Sequence, residues 1–103
     1  MALAWVDAIG EAELLEGDVT HVVVSGRDIA IYDTPNQLYA SAAFCTHAGA
    51  LLCDGYFDGY LIECPLHQGC FDIRTGEPKG APVTRALKTY EVRVVEGMVQ
   101  VKL

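Results

Sequence analysis

Four residues carry donor atoms for a transition metal in two short, similar frames, Cys45-Thr46-His47 and Cys64-Pro65-Leu66-His67, and sixteen residues separate His47 from Cys64. Thiolate and imidazole are borderline-soft donors that suit zinc or iron and serve calcium or magnesium poorly. A closed tetrahedral zinc site satisfies this donor set, although zinc spacings usually pair Cys with Cys and His with His. Here each frame mixes the two. That mixing suits a two-iron cluster in which each frame gives its cysteine to one iron and its histidine to the other. A neutral imidazole in place of a thiolate removes negative charge from such a centre and raises its potential above that of all-cysteine clusters.

The flanking residues fit the two-iron cluster. Gly49 and Gly69 let backbone come close to inorganic sulfide and donate N–H bonds to it, and Pro65 stiffens the second frame; ordinary turn duty is the plainer account of all three. Cys53 and Cys70 stand inside the same stretches but match neither ligand position, and small buried hydrophobes are their expected role. A four-cysteine cluster using them requires both histidines to be bystanders. His21 lies mid-strand in "VTHVVV" with no metal-type neighbour and reads as a solvated strand residue. Trp5, Tyr32, Tyr39 and Tyr90 read as core packing.

The elements that must hold these frames are short strands. Val19 to Val24, Ile29 to Tyr32 and Leu38 to Ser41 are rich in β-branched and aromatic residues and are bounded by turn signals. Thr89 to Val95 and Met98 to Leu103 flank Glu96-Gly97, which predicts a hairpin. Only Ala8 to Leu15 could form a helical turn or two, with Gly17 ending it. Many short strands point to an all-β sandwich or barrel, with the Cys/His frames in loops at about 44–55 and 63–76.

Composition narrows the function. A chain of 103 residues, 51% apolar, suits one domain with a modest core. Fourteen acidic against seven basic side chains, a net charge of -7, repel nucleic acid and attract basic protein surfaces. No apolar run approaches the ~20 residues of a membrane helix, and no leader pattern opens the sequence. The expected place is the cytoplasm, where four cysteines point to metal or redox chemistry rather than disulfides.

"CTHAGALLCDGYFDG" and "ECPLHQGCFD" resemble the Rieske-type ferredoxins of bacterial multicomponent aromatic-ring-hydroxylating dioxygenases. The likeness runs nearly end to end, through Trp5, Leu15 to Val19, Leu38 to Ala40, Thr75-Gly76, Ala81 to Thr84 and Lys88 to Tyr90. It implies an antiparallel β-sandwich with a small cluster-binding subdomain of two loops. It also implies one [2Fe-2S] cluster per chain, on Cys45, His47, Cys64 and His67. Such a protein shuttles single electrons from an NAD(P)H-dependent flavoprotein reductase to a terminal oxygenase by transient docking and catalyses nothing alone. The two histidines then mark the electron exit, and Asp54, Asp58, Glu63 and Asp72 are candidates for an acidic docking rim.

Departures from the high-potential relatives in respiratory complexes are also informative. Ala50 and Leu66 stand where those proteins carry a disulfide between the loops. Gly69 and Phe71 stand where a Ser and a Tyr bond cluster or ligand sulfur. Hydrogen bonds to sulfur stabilise the more negative reduced state, so the expected potential is low for this class, on the order of -150 mV. Exposed nitrogens on His47 and His67 would lower it further at alkaline pH. Two rival readings are a structural zinc module and a small subunit of a nitrite-reductase-type enzyme.

Overall fold

The computed structural model describes residues 3–46, 49–66, 69–80 and 84–103, and strands dominate it. Among the described residues three antiparallel sheets are formed. The first joins β1 (Trp5–Gly10), β11 (Met98–Lys102) and β10 (Val92–Val95) in that order. The second runs β2 (Val19–Val24), β3 (Arg27–Asp33), β4 (Leu38–Ala42) and β9 (Thr89–Tyr90). The third runs β5 (Tyr56–Asp58), β6 (Leu61–Glu63), β7 (Cys70–Asp72) and β8 (Pro78–Gly80).

Two hairpins have the same turn chemistry. Ser25 and Gly26 sit at φ 50° and 76°, and Glu96 and Gly97 at 50° and 78°. Positive φ at both central residues is the two-residue turn whose twist matches paired strands, and a glycine second makes it cheap. Val24 accordingly pairs with Arg27, and Val95 with Met98. The expected helical turn shrinks to a 3-10 segment at Glu11–Glu13, because Ala8 to Gly10 continue β1 against β11. The segment expected as one strand from Thr89 to Val95 divides between two sheets at Glu91.

β3 explains why the middle of the chain lacks alternation. Ile29 and Ile31 face one core with Val24, Ala40, Val99 and Val101; Ala30 and Tyr32 face a second with Leu52, Ile62, Phe71, Ile73 and Leu87. These four central residues of β3 are fully buried. A strand covered on both faces needs apolar residues at every position, which is the "IAIY" run. Trp5, expected in a core, lies instead on the outer face of the first sheet, 4.2 Å beneath the Arg93 guanidinium. Tyr32 does enter the core, where its hydroxyl meets Ser41 Oγ at 2.8 Å while Ser41 donates to the Ala42 carbonyl. Burial pushes the Tyr32 phenol far above its ordinary range, so it stays protonated and bonded. Tyr32→Phe is expected to cost about 1 kcal/mol, read as a lower urea midpoint with an unchanged slope. Among the described residues no helix is long and apolar enough to cross a membrane.

Candidate metal centre

The second core ends at two matched turns. Past β4 the chain doubles back: Leu52 N–H donates to the Ala43 carbonyl at 2.7 Å, Phe44 pairs with Leu51, and Cys45 N–H donates to the Ala50 carbonyl at 2.8 Å. Between β6 and β7, Cys64 N–H donates to the Gly69 carbonyl at 2.7 Å. Each cysteine therefore opens a turn closed by a bond from its own amide to the carbonyl five residues on. In the first turn Gly49 has φ 68° and gives its N–H to the Cys45 carbonyl at 2.9 Å. Its glycine answers a backbone requirement there, and that N–H is already engaged.

Both cysteines lie inside, Cys45 at 3% exposure and Cys64 at 1%, against Leu52, Ile62 and Phe71. Their thiols are within hydrogen-bond reach of each other. Burial pushes the Cys64 thiol up; the Leu66 amide, bonded to its sulfur, pulls the other way, and the Cys45 thiol adds to the rise. Two adjacent thiols in an apolar pocket ionise poorly by themselves, whereas a coordinated thiol is deprotonated outright. This pair is suited to a soft cation. Among the described residues no three His, Cys, Asp or Glu side chains gather as a metal site. His47 and His67, which complete the expected set of four, lie outside the described residues.

Hydrogen bonds and close contacts fix the two turns. Thr46 Oγ1 donates to the Arg85 carbonyl at 2.8 Å, tying the first turn to a segment 39 residues on. Ala42 N–H donates to the Lys88 carbonyl, and Leu87 N–H to that of Gly76 at 2.7 Å. Gly55 passes so near the end of β6 that a Cβ there would lie 1.9 Å from the Glu63 carbonyl oxygen. Neither Thr46 nor Gly55 stood out from the sequence: Thr46 was hidden inside the Cys-x-His frame, and Asp54-Gly55 looks like any turn.

Other expected residues are placed differently. Cys53 is half-buried against the second core, and burial, with Asp54 and Asp18 nearby, pushes its thiol up to about 11. Cys70 is half-buried on β7 and is pushed up by burial and by Glu63. None of the four cysteines is in a disulfide. His21 is not simply solvated, since its Nε2 meets Asp28 Oδ1 at 2.8 Å.

Of the candidate rim acids, Asp54 and Asp58 are exposed, but Asp72 is 6% exposed and serves the fold. It accepts two bonds from the Arg74 guanidinium and one from the Arg74 amide, shaping the turn into β8. Arg74 holds its carboxyl below the usual carboxylate range, overcoming the opposing effect of burial. A group depressed on folding stabilises above its unfolded value, near pH 4, and that contribution is lost as pH falls through the folded value. The urea midpoint of the wild type should therefore exceed that of Asp72→Asn at pH 7, with the gap closing below about pH 4.

A Rieske [2Fe-2S] domain profile matches residues 4–91. The ferredoxin component of the naphthalene 1,2-dioxygenase system of Pseudomonas putida is 44% identical over 103 residues, covering 100% of this chain and 99% of that protein. The ferredoxin of carbazole 1,9a-dioxygenase from Nocardioides aromaticivorans IC177 superposes with a TM-score of 0.89 at 33% identity, over 95% of this chain and 96% of its own. A solved complex of reduced oxygenase and oxidized ferredoxin in carbazole 1,9a-dioxygenase matches with a TM-score of 0.86 at 38% identity, over 94% of this chain and 91% of that one. With half of the expected donor set buried side by side and this likeness over its full length, the chain belongs to the Rieske [2Fe-2S] domain family.

Proposed function

We propose that this chain is a one-electron carrier of an aromatic-ring-hydroxylating dioxygenase system, passing electrons from an NAD(P)H-dependent flavoprotein reductase to a terminal oxygenase in the cytoplasm. The observation that carries the reading is the pair of buried, adjacent thiols of Cys45 and Cys64, each opening a matched turn that also contains a histidine. Cys45, His47, Cys64 and His67 hold one [2Fe-2S] cluster in the loops at about 44–55 and 63–76. When bound, such a cluster takes up and releases one electron.

The chain's own residues do the rest. The Leu66 amide bonded to the Cys64 sulfur favours the ionised ligand. Leu52, Ile62 and Phe71, all fully buried, keep water from the cysteine side. Low solvent access is one of the levers that set a redox potential. Pro65 and Leu66 are exposed in the second turn, the latter at 50%, and Phe44 flanks the first at 43%. Short-lived docking through a small apolar surface on an acidic protein suits a carrier that must leave its partner after each electron. The relatives named as ferredoxin components, and the solved oxygenase–ferredoxin complex, support the direction of transfer.

Electron paramagnetic resonance of the purified protein, as isolated and after dithionite, with iron and zinc counted on the same sample, tests the reading. A signal only on reduction, a lowered average g and two irons per chain are expected, with a potential on the order of -150 mV. Silence with one zinc per chain would make this a structural module. A plant-type signal would transfer the ligand role to Cys53 and Cys70.

A further inference from the structure

We infer that Gly55 is a positioning residue whose missing side chain sets the separation of Cys45 and Cys64. The inference rests on the assignment of those cysteines as ligands. Gly55 joins the two turns at their roots. Its N–H donates to the Leu52 carbonyl at 2.9 Å, while Leu52 N–H donates to Ala43, two residues before Cys45. On its other side it lies against Glu63, the residue before Cys64. A Cβ at position 55 would meet the Glu63 carbonyl oxygen at 1.9 Å, the Glu63 carbonyl carbon at 3.1 Å and the Leu52 carbonyl oxygen at 3.1 Å.

Backbone conformation does not demand this glycine. Gly55 has φ -89° and ψ -167°, extended values open to any residue. Only the close approach excludes a side chain. The obstacle is main chain on both sides, so no side chain can swing away. Relieving the Glu63 contact to 3.0 Å moves the two roots apart by more than an ångström. Metal–donor distances tolerate about 0.2 Å. A methyl group at residue 55 therefore acts on the space between the cysteines and on the adjoining end of β6, while the second core holds the sheets together through Tyr32, Phe71, Ile73 and Leu87.

The test compares the wild type with Gly55→Ala and Val99→Ala, each loaded with ferrous iron and sulfide. Val99 is fully buried in the first core, which contains neither cysteine, and serves as the control for lost stability. Gly55→Ala is expected to retain iron about 10- to 100-fold less tightly against a chelator, the range for groups that orient metal ligands. Its g values and midpoint potential should also shift. Val99→Ala should lower the urea midpoint while keeping wild-type g values and potential.

If Gly55→Ala does not accumulate, Gly55→Ala/Glu63→Gly gives residue 63 freedom to turn its carbonyl aside, and a folded protein with wild-type spectrum and iron retention is expected there. Wild-type spectrum, potential and iron retention in a folded Gly55→Ala, or a folded double variant that still loses its iron, would overturn the inference. A wild type that binds no iron would instead defeat the ligand assignment itself.

Discussion

A Cys64→Ser variant is expected to emerge colourless, with iron affinity lower by at least about 100-fold, the upper end of what losing a mere orienting partner costs. Serine keeps the volume of the side chain within one atom and keeps a polar group, so the effect isolates the thiolate. The hydroxyl is a hard, weakly acidic donor that a buried iron cannot readily ionise, whereas the thiol is deprotonated on coordination. The turn itself should survive, because its closure is the bond between the Cys64 amide and the Gly69 carbonyl, which involves no sulfur. Circular dichroism of the strands should match the wild type. Cys45→Ser should behave alike, its sulfur being the neighbour of the Cys64 thiol. Cys53→Ser and Cys70→Ser should keep full iron content; loss of iron in either of these, with retention in Cys64→Ser, would reverse the assignment of ligands.

Among the glycines whose surroundings are described, Gly76 should be the costliest to replace by alanine. Two penalties coincide there, whereas Gly55 carries only one. Gly76 has φ 81°, which costs an L-residue about 1–2 kcal/mol, and its Cβ would stand 1.8 Å from the Leu87 carbonyl oxygen and 3.3 Å from Thr89 Cγ2. Over-packing against main chain adds about 1–3 kcal/mol. Together these take about 2–5 kcal/mol from a total stability of about 5–15 kcal/mol. The urea midpoint at pH 7 reads the loss directly. Gly26→Ala is the comparison: its φ of 76° is similar, but nothing lies within 4 Å of the added carbon. It should show the conformational penalty alone, and equal losses in the two variants would refute the role given to the Leu87 contact.

The strands of the second sheet were legible because they are bounded by Ser25-Gly26 and Pro35-Asn36, local signals that need no knowledge of the rest. The hairpin at Glu96-Gly97 was legible for the same reason. Trp5 was misread because an aromatic residue stacks as well under an arginine on a sheet surface as it does inside, and only the register Trp5↔Lys102 reveals its face. Asp72 was misread because its partner Arg74 is two residues away, a separation that brings side chains together only when the backbone turns between them. That Cys45 and Cys64 come together was legible from their two similar frames. The residues that place them were not: Gly55 meets Glu63 across the β5–β6 hairpin and Thr46 meets Arg85 39 residues on, contacts made by one atom or by none.

β1 pairs with β11, Trp5 lying opposite Lys102, so the first strand has its sheet partner only when the last strand exists. The first cysteine turn waits similarly on Arg85, and β4 on Lys88. During synthesis the emerging chain thus holds both thiols before it holds the segments that fix their spacing. The metal pocket waits on Arg85 and Lys88, and iron delivered earlier would meet loose thiols rather than a site.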